Sequence, residues 1–509
     1  MARKPATMQY GVDEVPVGGG ASKALVTGIS NPELCDLSRD GQRMLLRDLA
    51  HSRDEDEPLY IRQIEGSAAR VGQILAYDAA WFPDGQRILF SSDGVVYATD
   101  VKGLSRQKLF SIPGNAFWFR WSADGKRLRF TVIDKKSEET SIWEATVSDE
   151  SPHRLFSDLH YHLCCGTWTP DGKYFLFQVR VRNTFEIWTR RDQNSFGFLF
   201  QKQPYPVASG AMSYRSPLPS KDGSRLFVRA EAPKGELVRY DFRVGGFSSV
   251  LPSLSARTVA YSKDGSWIAY TSLSDNNLWR CRADGSECVQ LTRDFKDTVM
   301  PRWSPNGESI AFMGLTFTGR WNTYSIPAKG GEVRPLSHDD QANGYPDWSL
   351  DGQQIFFSDV PPVSQPKGIY ALDLRTEKLS VIPGSTEFFF PRVSPDSRLL
   401  LAQHSGDLSL YLYEFASKKW RQLAKVQASY PSWSHDGKYV YFRSGSADSP
   451  AIFRAAVPSG NVEKVASLAG VDRGPYFMGD WVGLDPTDAP IAVRNSTIED
   501  IYAWELVRK

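Results

Sequence analysis

The chain predicts an all-β fold of tandem β-propellers built of four-stranded blades, about eleven in total. Three observations carry that expectation. A short phrase, clearest as Trp168-Thr169-Pro170-Asp171-Gly172-Lys173-Tyr174-Phe175, recurs along the whole length. Its acidic or Asn position falls at Asp40, Asp84, Asp124, Asp171, Asp222, Asp264, Asn306, Asp351, Asp396 and Asp436, a spacing of about 40 to 50 residues that suits one propeller blade. No stretch of about ten residues keeps helical i, i+3, i+4, i+7 periodicity, so almost no helix is expected.

Each part of the phrase has its own physical job. An aromatic closes one strand, a Pro presets φ for the turn, and the Gly takes the φ > 0 position that ends a three-residue hairpin loop. Past the hairpin, an Ile/Leu-aromatic pair marks a third strand, as in Ile142-Trp143, Ile187-Trp188 and Leu278-Trp279. A shorter polar alternation marks the fourth, as in His153-Arg154-Leu155-Phe156 and Val289-Gln290-Leu291-Thr292. A polar outer strand blunts the blade's exposed edge. With 15 Trp and aromatics at 13% of the chain, large flat side chains are available to join blades face to face. Trp121, Trp303, Trp348 and Trp433 are expected to be largely buried between adjacent blades.

Eleven blades exceed the roughly four to eight that close one ring, so two rings are expected. The least patterned stretch runs from Asn194 to Ser213 and places the boundary near residue 205. That makes 1–204 a first propeller of about five blades and 205–509 a second of about seven. Residues 476–482, 490–493 and 500–506 read as three strands of an eleventh blade. The chain opens in mid-blade, with strand-like runs at 8–17 and 22–26. Either it continues a longer protein, or its C-terminal strands donate the missing inner half.

Lys+Arg 60 against Asp+Glu 59 leaves a net charge of +1, which supplies no field to attract nucleic acid or an anionic membrane. No run approaches the roughly 18 apolar residues of a membrane span, and no apolar h-region follows the basic start. As written, the chain reads as cytoplasmic; as part of a longer membrane-anchored protein it would be periplasmic. The 5 cysteines do not make a disulfide framework in a chain of this size. Cys281 and Cys288 face one another across a turn, with reduced thiols the expected state unless the protein is exported.

The sequence holds no Gly-x-Ser-x-Gly elbow, no dinucleotide or P-loop glycine pattern and no His-Glu-x-x-His. No catalytic residue, cofactor or metal is therefore assigned. One dense group of ligand-type residues remains, in His160-Tyr161-His162-Leu163-Cys164-Cys165. On a strand, His160, His162 and Cys164 share one face and would line a propeller channel. Hydrated channel residues and small packing cysteines explain them better than a metal, because no fourth ligand is visible. The aspartates of the repeats are turn formers, since a calcium site needs about six or more converging oxygens.

From Asp36 to Val493 the repeated Trp-Ser-Pro-Asp-Gly phrase resembles the TolB-type propeller repeat, a WD-like repeat. A closer resemblance is to the propeller region of acidobacterial regulators in which a winged helix and one membrane helix come first. It is carried by Cys164-Cys165-Gly166-Thr167-Trp168, Ser216-Pro217-Leu218-Pro219-Ser220, Gly235-Glu236-Leu237-Val238-Arg239-Tyr240-Asp241 and Gly483-Leu484-Asp485-Pro486. The resemblance implies a sensory or scaffold propeller in a signalling protein, without catalytic residues. The expected function is non-enzymatic binding of a protein partner or small ligand. A periplasmic TolB-like assembly protein and a channel-centred lyase or hydrolase using His160 and His162 are the alternatives.

Overall fold

The structure, a computed structural model, describes residues 11–25, 28–49, 55–135, 137–146, 151–159, 161–181, 184–192, 203–210, 212–317, 319–337, 342–361, 367–446, 449–472, 474, 478 and 480–506. Among these every helix or strand is a strand. Ten of the sheets have four strands, one has three and one has two. The all-β tandem propeller is thus the observed fold, and its eleven larger sheets are the blades.

The chain forms two compact units, one of residues 1–231 with 499–509 and one of residues 232–498. The division falls at Glu231 instead of near residue 205, because Arg225–Ala232 lies between Ser213–Pro219 and Ile498–Glu505 in the last sheet of the first unit. The C-terminal strands therefore do not form one eleventh blade. Val482–Leu484 and Pro490–Asn495 supply the inner half of a sheet whose outer half is Gly235–Asp241 and Gly246–Ser249. Leu237 pairs with Val493 and Val238 with Ala492, so the two ends of the second unit are joined within a single blade. That closes a ring of six sheets among the described residues. At the start of the chain, among the described residues, Val12–Glu14 pairs with Lys23–Leu25 in a two-stranded sheet.

Each hairpin is built as its sequence implies. Ser262 Oγ donates to Asp264 Oδ1 at 2.5 Å and accepts from Trp267 N at 3.0 Å. The same carboxylate oxygen accepts from Ser266 N at 3.1 Å, and Gly265 closes the loop at φ +70°. Ser394 with Asp396 and Ser434 with Asp436 repeat the arrangement at 2.6 and 2.8 Å. These aspartates are spent on their own turns. Outer strands such as His153–Arg154 and Leu379–Val381 are exposed, as a blunted edge requires.

The motif tryptophans Trp121, Trp303, Trp348 and Trp433 are largely covered, as expected, each keeping part of its ring accessible. They sit at the end of each innermost strand, so part of the ring stays open while the indole N–H reaches the preceding blade. Trp303 Nε1 donates to Ala260 O at 3.0 Å, Trp348 Nε1 to Arg302 O at 3.1 Å and Trp433 Nε1 to Arg392 O at 3.0 Å. A Trp348→Ala variant loses most of the covered indole surface and one hydrogen bond, and should lose about 3 kcal/mol. Trp348→Phe keeps most of the ring and should lose about 1 kcal/mol. Denaturant unfolding of both checks this; equal losses would deny the indole N–H its role between blades.

The turn aspartates also set an acid limit. Hydrogen bonds from Ser262 and Ser266 hold Asp264 down at about 2, and those from Ser394 and the Arg398 backbone hold Asp396 at about 2. An unfolded Asp titrates near 3.9, so this stabilisation is present above about pH 4 and is lost as pH falls through about 2. The thermal midpoint should be flat from about pH 7 to 5 and fall between about pH 4 and 2. A double Asp264→Asn, Asp396→Asn variant should show a shallower fall, measured by circular dichroism melts; an identical profile would remove these turns as the cause.

Candidate functional site

The innermost strands of the second unit are Ala256–Tyr261, Asp297–Trp303, Asn343–Trp348, Phe388–Val393, Ser429–Trp433 and Val482–Leu484. They converge on one cavity of about 330 Å³, the size of a small-ligand pocket. Its wall combines tryptophans, among them Trp303, Trp348, Trp433 and Trp481, with Arg302, Asp347, Arg392 and Ser432.

A repeated break in the strands puts those four polar side chains there. Pairing slips between Val299 and Arg302, Gly344 and Asp347, Phe389 and Arg392, and Ser429 and Ser432. Within each slip one bulky residue takes a left-handed backbone: Met300 at φ 56°, Tyr345 at 59°, Phe390 at 58° and Tyr430 at 54°. A proline follows each of them, at 301, 346, 391 and 431, where a bulge tolerates the lost ladder donor. Left-handed φ at a bulky residue costs about 1–3 kcal/mol. Cross-blade bonds offset part of it, since Met300 N donates to Thr258 Oγ1 at 3.1 Å and Phe390 N to Ser358 Oγ at 3.2 Å. The bulge re-aims the residue two places on, which is Arg302, Asp347, Arg392 or Ser432.

Arg392 is 2% exposed. Its Nη1 donates to the carbonyls of Pro391 at 2.7 Å and of Tyr345 and Pro346 at 3.2 Å, while its Nε and Nη2 have no partner. Its guanidinium stacks over Phe390 at 4.2 Å. Arg302 Nε also lacks a hydrogen-bond partner and lies 3.9 Å from Asp347 Oδ1. The other oxygen of Asp347 accepts from Val393 N at 2.7 Å. Burial and the nearby Arg302 push Arg392 well below its ordinary value, and burial lowers Arg302 as well. Tyr430 donates to Asp480 Oδ1 at 2.8 Å, and Arg443 Nη1 meets Asp480 Oδ2 at 3.0 Å. Burial and Asp480 raise the Tyr430 phenol well above its usual value.

The residues singled out in the sequence lie in the first unit. His162 opens the innermost strand His162–Trp168, and its Nδ1 accepts from Thr140 N at 3.4 Å. Cys164 is paired with Cys165 as a disulfide, which removes it as a thiolate. His160 lies outside the described residues. No group of three or more His, Cys, Asp or Glu able to hold a metal occurs among the described residues. Cys281 and Cys288 are likewise paired as a disulfide, against the expected reduced state; the turn between them closes through Arg282 N and Ser286 O at 2.8 Å. Among the described residues no helix is long and apolar enough to cross a membrane.

The sequence reading missed the channel arginines because it began each repeat at the aromatic. One place earlier, Met300-Pro301-Arg302, Tyr345-Pro346-Asp347, Phe390-Pro391-Arg392 and Tyr430-Pro431-Ser432 carry the signal: a bulky residue, a proline, then the side chain that turns inward.

No family model matches the chain. It is 27% identical over 193 residues to the uncharacterized peptidase YuxL of Bacillus subtilis (strain 168), covering 36% of this chain and 28% of that protein. It is 34% identical over 73 residues to the Tol-Pal system protein TolB of Alcanivorax borkumensis, covering 14% and 17%. These matches span less than a third of either relative's length. Among solved structures, a protein described as TolB from Agrobacterium tumefaciens aligns with 52% of this chain and 98% of its own, at 19% identity and a TM-score of 0.43. Over that 73-residue stretch the chain is similar to TolB, and its own sheets establish the β-propeller fold.

Proposed function

We propose that the chain is a non-enzymatic binding module of TolB-like propeller type, whose second propeller takes a protein segment or small ligand into its channel in a signalling context. The observation that carries this reading is the convergence of aromatic rings and unspent guanidinium donors on one cavity, the mix of apolar wall and few polar groups expected of a ligand site. Three of the hydroxyls on the cavity wall are already engaged in turns. Ser262, Ser304 and Ser394 are tied to Asp264, Asn306 and Asp396 at 2.5, 2.7 and 2.6 Å. The signalling setting follows the winged-helix resemblance, and the peptidase in the Bacillus relative's name supplies the competing hydrolytic reading.

Ser432 lines the cavity and is the place to block it. Short peptides and small organic molecules that raise the thermal midpoint of the wild type should bind saturably and be recovered chemically unchanged. They should lose at least about tenfold in affinity, about 1.4 kcal/mol, in Ser432→Trp. Ligands consumed on incubation would favour the hydrolase or lyase, and ligands indifferent to Ser432→Trp would dismiss the channel.

A further inference from the structure

We infer that the ligand of this channel presents a carboxylate, held between the guanidiniums of Arg302 and Arg392. The inference rests on the channel being the binding site. A guanidinium offers two donor edges, and Arg392 uses them differently. Nη1 is anchored on the carbonyls of Tyr345, Pro346 and Pro391. Nε and Nη2, which form the side-on fork that meets a carboxylate in two parallel bonds, are buried and empty.

A buried, partly unpaired guanidinium lowers the stability of a fold. It is retained with least cost where a partner anion arrives from outside. Arg302 adds a second donor without a hydrogen-bond partner at Nε. Two guanidiniums face one carboxylate, Asp347, which is already engaged with the Val393 amide, while the other carboxylate on the cavity wall, Asp485, is paired with Arg239. One positive charge is left over. A carboxylate matches it, whereas a doubly charged phosphate would exceed it. The cavity of about 330 Å³ admits a short side chain, a chain terminus or a small organic acid, and the tryptophan wall receives its apolar body. The chemistry is shared by a peptide carboxylate and a free acid, so both are tested.

Four probes decide the matter by titration calorimetry with the full chain: 3-phenylpropionate, acetyl-Phe-Ala-Glu amide, acetyl-Phe-Ala-Gln amide and inorganic phosphate. The 3-phenylpropionate or the Glu peptide, or both, should bind. The Gln peptide and phosphate should bind at least about tenfold more weakly. Arg392→Met and Arg302→Gln should each lower carboxylate affinity by about tenfold or more. Arg302→Gln removes only a long contact to Asp347 and keeps the test valid should Arg392→Met fail to fold. Binding of 3-phenylpropionate alone assigns a small acid, and of the Glu peptide alone a chain segment. No carboxylate binding, equal binding of the Gln peptide or phosphate, or unchanged affinity in Arg302→Gln overturns the inference. A ligand excluded by Ser432→Trp but indifferent to both arginine variants overturns the carboxylate alone and leaves the channel reading standing.

Discussion

Four of the six blades of the second propeller depend on one strained residue each. At Met300, Tyr345, Phe390 and Tyr430 the innermost strand leaves the β region for a left-handed backbone, a conformation that bulky L-residues avoid. It persists because the surroundings over-determine it. The amide is taken by a hydroxyl of the preceding blade at Met300 and Phe390, and a proline follows that has no amide to leave unpaired. From this break follow the aim of the next side chain into the channel and the position of the tryptophan at the strand's end. Trp348 and Trp433 donate to the main-chain carbonyls of Arg302 and Arg392. The two arginines thus join their blades through the backbone and face the channel through the side chain, so the packing between blades and the geometry of the site are set by the same residues.

Closure works on a larger scale by the same economy of shared elements. A blade presents unpaired edges unless its neighbours in the ring are fixed, and the second unit fixes its ring by making one blade from both of its ends. Gly235–Asp241 and Pro490–Asn495 lie more than two hundred residues apart in sequence yet pair through Leu237 and Val493. The chain then returns to the first unit and adds Ile498–Glu505 beside Arg225–Ala232. Arg494 and Glu236 add an ion pair at 2.6 Å along the closing seam.

Local chemistry was legible in the sequence and remote pairing was not. The Ser-x-Asp-Gly turns, the buried second strands and the polar outer strands were read from residues that make their bonds within a few positions of themselves. Ring membership of Ile498–Glu505 depends on which distant strand it meets, and nothing in its own residues states that. The boundary was placed near 205 because the pattern weakens there, whereas the units divide where pairing partners change. Among candidate site residues, His160, His162 and Cys164 were chosen for their chemical type. Type alone did not reveal that Cys164 is joined to Cys165. Arg302 and Arg392 are ordinary by type, and only the proline-marked bulge before them makes them special.

The equivalent place in other blades separates what the fold needs from what a ligand would need. Two residues after the left-handed position stand Arg120, Thr167 and Leu218 in the first unit, following Trp118, Cys165 and Ser216. In the second unit they are Arg302, Asp347, Arg392 and Ser432. A leucine, a threonine and a serine occupy this position in blades that close their turns and carry their bulges in the same way. The scaffold therefore places no demand for charge there. Burying Arg392 with two empty donors works against folding, while Leu or Thr at that place would not. Arg120 shows that an arginine also fits this place, with Nη1 on Phe119 O at 2.7 Å and the guanidinium over Trp118. Arg392 differs in its deeper burial and its two empty donors, and it is that difference on which the proposed occupant of the channel rests.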